Sequence, residues 1–202
     1  MKIAILVEGA TEVAFREKLR EFLQSRLEQK MPRLDFKPQH GGIPKEKKLK
    51  LIVENFLDND GYDAVIALTD VYTGKQDFKD ANYAKEKMMI WVDKNPKFYP
   101  HTALHDFEAW LLPYWKTIQK RAKHNRSAPS GSPETVNHQK PPSYWIKEIF
   151  STGQCRRDYN KVIDGVAILK DNDLMIAIKA CPELKAFVNR IISLCDEDKI
   201  IS

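Results

Sequence analysis

The sequence predicts an α/β fold: a mostly parallel sheet flanked by helices, with a helical C-terminal extension. Three observations predict it. Two apolar runs, Lys2 to Val7 (KIAILV) and Ala64 to Thr69 (AVIALT), do not alternate and so read as buried parallel strands. Amphipathic stretches with apolar residues at three-and-four spacing separate them. The order strand, helix, helix, strand, helix, strand matches crossover units rather than hairpins.

Each element has a local reason. After the first run, Phe15, Leu19, Phe22, Leu23 and Leu27 form one helical stripe, with Thr11 placed to cap the helix. Leu49, Ile52, Val53, Phe56 and Leu57 form the next stripe, and Asp58-Asn59-Asp60-Gly61 stops it. Ala81 to Val92 reads as helix, Tyr99 to Leu104 as a further strand, and Asp106 to about Lys123 as a helix interrupted near Pro113. Asn125 to Pro142 is the one stretch rich in Pro, Ser and Gly, and it reads as a long loop. Beyond it come an apolar segment from Tyr144 to Phe150, a polar turn through Arg156 and Arg157, and a last helix from about Pro182 to Cys195. The expected division is a core over 1–124, a loop over 125–142 and a helical extension over 143–202.

Length and composition exclude several classes. At 202 residues the chain is one domain, or one with an appendage. With 43% hydrophobic and 30% charged residues it can bury a core, which excludes wholesale disorder and collagen. No run approaches the roughly 18 to 20 apolar residues of a membrane span, and the start lacks a secretory pattern, so a cytoplasmic protein without membrane contact is expected. Three cysteines, Cys155, Cys181 and Cys195, carry no CxxC or Cys/His spacing and read as reduced structural thiols. Thirty-three Lys and Arg against 28 Asp and Glu leave +5, compatible with a polyanionic partner yet ordinary for a globular protein.

Ligands of open parallel sheets bind outside the carboxyl ends of the strands. Glu8 follows the first run, Asp70 ends the central one, and Glu108 lies one helical turn beyond the strand that stops at His105. If those strands are neighbours, three carboxylates converge, and a hard cation such as Mg²⁺ would stabilise them. Each alone is also an ordinary cap or turn former, and Asp106 in particular is placed to cap its helix. Lys45, Lys47 and Lys48 open the second helix, where the macrodipole disfavours cations; the same residues suit a phosphate or a solvated basic face. A second basic cluster includes Arg121, Lys123 and Arg126, and a third Arg156 and Arg157 with Lys161. Tyr114, Trp115, Tyr144 and Trp145 lie nearby and read either as base-stacking platforms or as core and rim aromatics. His105 reads as a proton shuttle or as a structural histidine. No Walker pattern, GxGxxG or nucleophile elbow is present.

Val7-Glu8-Gly9-Ala10-Thr11-Glu12 resembles the first motif of TOPRIM domains in the overcoming-lysogenization-defect (OLD) nucleases. The ordered series VEGATE, TDVYTGKQDF, HDFEAWL, PPS, RRDYNKVIDG and Ala180-Cys181-Pro182 resembles a TOPRIM-like family of unknown function, related to those nucleases and encoded beside ABC/SMC-type ATPases in bacterial defence loci. The resemblance implies a Mg²⁺-dependent phosphodiesterase, with Mn²⁺ as a substitute, acting on DNA or RNA as the effector of an ATPase in anti-phage defence. A homo-oligomer is compatible with it. Glu8, Asp70 and Glu108 match its acidic positions, and Glu12 belongs to the first motif. The family usually carries Asp-x-Asp at the second motif, whereas Asp70-Val71-Tyr72 has a tyrosine there; Asp77 or Asp106 supplies the missing ligand, or one metal is lost. Arg157 and Lys161 are the candidates for neutralising the scissile phosphate. The alternative is a non-catalytic module that binds nucleic acid or docks on the ATPase. A third reading, Asp70 as a phosphate-accepting aspartate, lacks the neighbouring residues such enzymes show.

Overall fold

The computed structural model describes the chain apart from residues 40, 72–77 and 137–139 and the side chains of residues 10–14. The described residues form a four-stranded, wholly parallel sheet flanked by helices. Its strands are β1 (Lys2–Val7), β2 (Arg33–Pro38), β3 (Ala64–Val71) and β4 (Phe98–Leu104), in the order β2-β1-β3-β4. The chain leaves β1 to one side for β2 and returns to the other side for β3, so the topological switch falls between β1 and β3. Register pairs Val7 with Leu68 across that junction, and Val71 with Leu104 across the next.

Alternate strand residues feed two cores, as the pleat requires. Ile3, Ile5, Val7, Ile66 and Leu68 face α1 (Ala10–Leu27) and the C-terminal helices. Ala4, Leu6, Val65 and Ala67 face α2 (Glu46–Glu54) and α3 (Ala81–Trp91). The first core is the larger. In it the Trp110 ring, fully buried, meets Phe15, Phe107 and Phe187 at centroid distances of 5.4 to 6.1 Å.

The remaining helices are α4 (Trp115–Ala122), α5 (Pro142–Thr152), α6 (Lys161–Lys170), α7 (Leu174–Ala180) and α8 (Pro182–Cys195). α6 packs along α1, and α8 lies against β4. Both start where a donor-poor residue or a cap allows: Asn160 accepts from the Ile163 N–H before α6, and Pro182 opens α8.

Several expectations are corrected. The strand β2 escaped the apolar pattern because Arg33, Asp35 and Lys37 interrupt it at the sheet edge. The stretch read as a helix interrupted near Pro113 is a 3₁₀ segment, Phe107–Tyr114, followed by α4. α6 and α7 were not read as helices at all. The stretch read as a long loop contains a 3₁₀ turn, Pro133–Thr135, with Glu134 and Val136 buried. The first helix begins at Ala10, and the expected Thr11 cap lies outside the described side chains. The three cysteines are free thiols. Among the described residues no helix is long and apolar enough to cross a membrane.

Candidate functional site

Glu8 and Asp70 leave adjacent strands at the switch point. The Glu8 carboxylate accepts hydrogen bonds from the Thr69 hydroxyl and, at 2.9 Å, from the Asp70 backbone N–H. Sheet register forces this: one residue beyond paired Val7 and Leu68, the chains are still close enough for a side chain to cross.

Asp106 and Glu108 arrive from the next strand end. β4 stops at Leu104, and His105 adopts φ +70, a left-handed conformation uncommon for a residue with a side chain. Its N–H donates to the Val71 carbonyl at 2.9 Å, tying this turn to the end of β3. Asp106 and Glu108 are both fully buried. Asp106 does not cap its own 3₁₀ segment. Its Oδ2 accepts instead from the Ser143 N–H in the first turn of α5, at 3.2 Å.

Lys161, the first residue of α6, reaches the Glu108 carboxylate at 3.2 Å. Burial raises the Glu108 carboxyl above the ordinary range and Asp106 adds to it, against the opposing pull of Lys161. Burial likewise raises Asp106. For Lys161 burial acts downward, but Glu108 and Asp106 outweigh it and hold the ammonium above its usual value, with a further contribution from Asp70. Lys161 thus serves several carboxylates at once, and Lys147 also acts on Asp106. The buried Asp106 Oδ1 receives no hydrogen bond, while the Glu108 Oε1 meets the Lys161 ammonium at 3.2 Å. Such acceptors are costly unless a cation meets them. An all-oxygen set with unmet lone pairs fits a hard divalent ion in its chemistry. Among the described residues, no three His, Cys, Asp or Glu side chains are gathered closely enough to hold one as they stand.

Asp164 positions Lys161. Fully buried, it accepts a bidentate pair from Arg157 at 2.6 Å, a third contact from Arg121 at 3.1 Å, and the Asn160 N–H at 2.9 Å. Burial alone would raise its carboxyl; Arg157, the Asn160 N–H and Arg121 together lower it. The start of α6 is therefore pinned one residue before Lys161.

A cavity of about 240 Å³ opens beside Glu8, Thr69 and Asp70. Gly41, Gly42 and Lys45 form its rim, both glycines at positive φ (+120 and +115). Its other wall is apolar, with Met88 and Trp91 one turn apart on α3, and Phe78.

The sequence candidates fall into groups. Glu8 and Asp70 meet at one strand junction; Asp106, Glu108 and Lys161 meet at the next. Lys45 lines the cavity, while Lys47 and Lys48 are exposed along α2. Arg121 and Arg157 are engaged with Asp164. Arg126 pairs with Glu148 at 2.6 Å and lies over the Trp145 ring at 5.3 Å. Lys123 closes α4 in a left-handed conformation, and Arg156 is exposed with φ +53. His105 is buried and lines a different cavity with Asp80, Glu134 and Glu183. Tyr114 and Trp115 are core residues, whereas Tyr144 stays on the rim. Tyr72, Asp77 and the Glu12 side chain lie outside the described residues. Sequence reasoning missed Trp91, read only as part of the Ala81 to Val92 helix, and gave no role to Phe78 or Asp164, which stood inside the TDVYTGKQDF and RRDYNKVIDG blocks; the role of Asp164 depends on contacts distant in the chain.

Together, fold and site define a Rossmann-type α/β domain with Glu8 and Asp70 at the switch-point crevice and a buried Asp106–Glu108 pair met by Lys161 at the neighbouring strand end. The chain belongs to a family described as a domain of unknown function, DUF4276, whose model matches residues 7–192. Among solved structures it is similar to the C-terminal region of the Burkholderia pseudomallei OLD protein, at 11% identity and a TM-score of 0.38, over 84% of this chain and 96% of that one. No curated protein matches significantly.

Proposed function

We propose that the protein is a Mg²⁺-dependent TOPRIM-type nuclease that hydrolyses phosphodiester bonds of DNA or RNA at the crevice between β1, β3 and the turn after β4. The observation that carries this reading is the pair of fully buried carboxylates, Asp106 and Glu108, with the Asp106 Oδ1 unmet and the Lys161 ammonium, which also feels Asp70, drawn to them. Two charges buried so close together are poorly repaid by folding alone.

Asp106 and Glu108, with Asp70 or Glu8, would hold the ion. A divalent cation there would polarise the phosphate and supply a nucleophilic water at neutral pH. Glu8 also orients the end of β3 through Thr69 and the Asp70 N–H. Lys161 is placed to offset charge developing on the phosphate. Arg157 and Arg121 act through Asp164, by fixing where α6 begins. Lys45, with Lys47 and Lys48 further along, offers cations to the flanking backbone. The ABC-type ATPase partner and the defence role that the sequence resemblance implies belong to the same proposal.

The test is cleavage of plasmid DNA and of RNA by the parent and by Glu8→Gln and Asp70→Asn in Mg²⁺ or Mn²⁺. The parent should cut only with metal, and both variants should lose cutting while melting close to the parent. Variants that cut as well as the parent would overturn the site. Salt-sensitive binding by the parent, without turnover under any metal, would favour the non-catalytic module.

A further inference from the structure

The cavity next to Asp70 has two unlike walls, and the phosphodiester chemistry proposed above uses only one. On one side stand Glu8, Thr69 and Asp70; on the other stand Trp91, Phe78 and Met88. Trp91 and Phe78 are only partly buried, with ring centroids 6.1 Å apart and planes tilted by 48°. Trp91 packs against the second core yet remains partly exposed in a crevice beside acidic residues, which leaves part of its ring open to a ligand. At the rim, Lys45 immediately precedes α2, and the Gly41-Gly42 backbone adopts conformations that leave open space where a Cβ would stand. At about 240 Å³ the cavity, below the roughly 300–1,000 Å³ of pockets for whole drug-sized ligands, suits a base whose attached phosphate stays at the Lys45 rim.

We propose that this cavity is a nucleotide subsite, taking an unpaired base against Trp91 and Phe78 while its phosphate meets Lys45 beside Asp70. Aromatic faces accept any base, so the subsite selects for an unstacked nucleotide rather than for sequence. A base inside an intact duplex cannot reach such a wall. Single-stranded or frayed nucleic acid is therefore the substrate class, and a free nucleotide shares the same recognition chemistry. The inference rests on the nuclease reading for the scissile bond, but the subsite itself is measurable without catalysis.

The experiment is calorimetric titration of the full chain, in EDTA at fixed salt, with thymidine monophosphate and with deoxyribose 5-phosphate. Trp91→Leu and Lys45→Ala are titrated alongside. The base-bearing ligand should bind at least about fivefold tighter than the sugar phosphate, and Trp91→Leu should erase that difference while sugar-phosphate binding persists. Lys45→Ala should weaken both ligands together. Equal binding of the two ligands by the parent would overturn the subsite, and needs no variant to fold. A single-stranded oligonucleotide binding tighter than its blunt duplex identifies a strand as the occupant; thymidine monophosphate binding with no preference between strand and duplex identifies a free nucleotide. Cleavage of nucleic acid with no base dependence sinks the subsite and leaves the nuclease standing. Base-dependent binding without cleavage does the reverse.

Discussion

Glu134 should be one of the costliest single side chains to remove, although it sits in a stretch whose sequence reads as loop. Only 3% exposed, its carboxylate accepts from the Trp110 indole N–H at 3.1 Å and from the Glu183 and Leu184 backbone N–H groups at 3.0 and 3.3 Å. The last two are among the donors that the first turn of α8 leaves without helical partners. Glu134→Ala strips a cap worth about 0.5–2 kcal/mol and strands the indole donor in a fully buried ring, at about 1–3 kcal/mol. The sum, roughly 1.5–5 kcal/mol, is a large share of a typical domain's 5–15 kcal/mol. At about 2–4 °C per kcal/mol for a chain of this size, the melting temperature should fall by about 10 °C.

Burial raises the Glu134 carboxyl, against the pull of the three donors. A folded value above the unfolded one means that parent stability declines as pH rises through the carboxylate range. Glu134→Gln should shrink that decline, leaving the share from the likewise raised Asp106 and Glu108, and cost less than Ala, because one acceptor oxygen remains. Calorimetric melts of the three proteins from acid to neutral pH check both points. A Glu134→Ala protein melting within about 2 °C of the parent would refute the capping argument.

The same physics makes further predictions. Gly153→Ala should be severely destabilising, since a Cβ there would lie 2.0 Å from the Ala122 carbonyl oxygen; urea unfolding, or failure to accumulate folded protein, reads it. Asp106→Asn should stabilise the metal-free protein at neutral pH by about 1 kcal/mol while removing activity, because it deletes a buried charge whose Oδ1 has no hydrogen bond; a lowered melting temperature contradicts this. Asp164→Ala should cost about 2–4 kcal/mol by releasing Arg157, Arg121 and the start of α6, and should lower turnover more than a stability-matched variant in α4 does, since Lys161 loses its placement.

The parts of the fold legible in the sequence were those set by local pattern. KIAILV and AVIALT announce themselves because strands buried on both faces need no polar alternation, and the stripe of α8 from Leu184 to Ile192 is periodic enough to place its inward face. The edge strand β2 was hidden because only one flank of RLDFKP is covered, so charge and apolarity mix without a clear period. α6 and α7 are 10 and 7 residues long, too short for a periodic signal to stand out. At the site, the nearness of Glu8 and Asp70 follows from strand ends and could be anticipated. The partnership of Asp106 with Ser143, of Glu134 with Trp110, and of Trp91 with the crevice joins segments whose approach is fixed only by tertiary packing. Arg121 and Arg157 show the opposite hazard: basic residues that look available for phosphate in sequence are held by a buried aspartate.

The most direct measurement is a Mn²⁺ titration of the apo protein by calorimetry or electron paramagnetic resonance, with Glu108→Gln and Asp106→Asn in parallel. Saturable binding by the parent, accompanied by a rise in melting temperature and lost in both variants, is the expected result. Equal Mn²⁺ binding by all three folded proteins, or none by the parent, would contradict the assignment of these buried carboxylates to a metal.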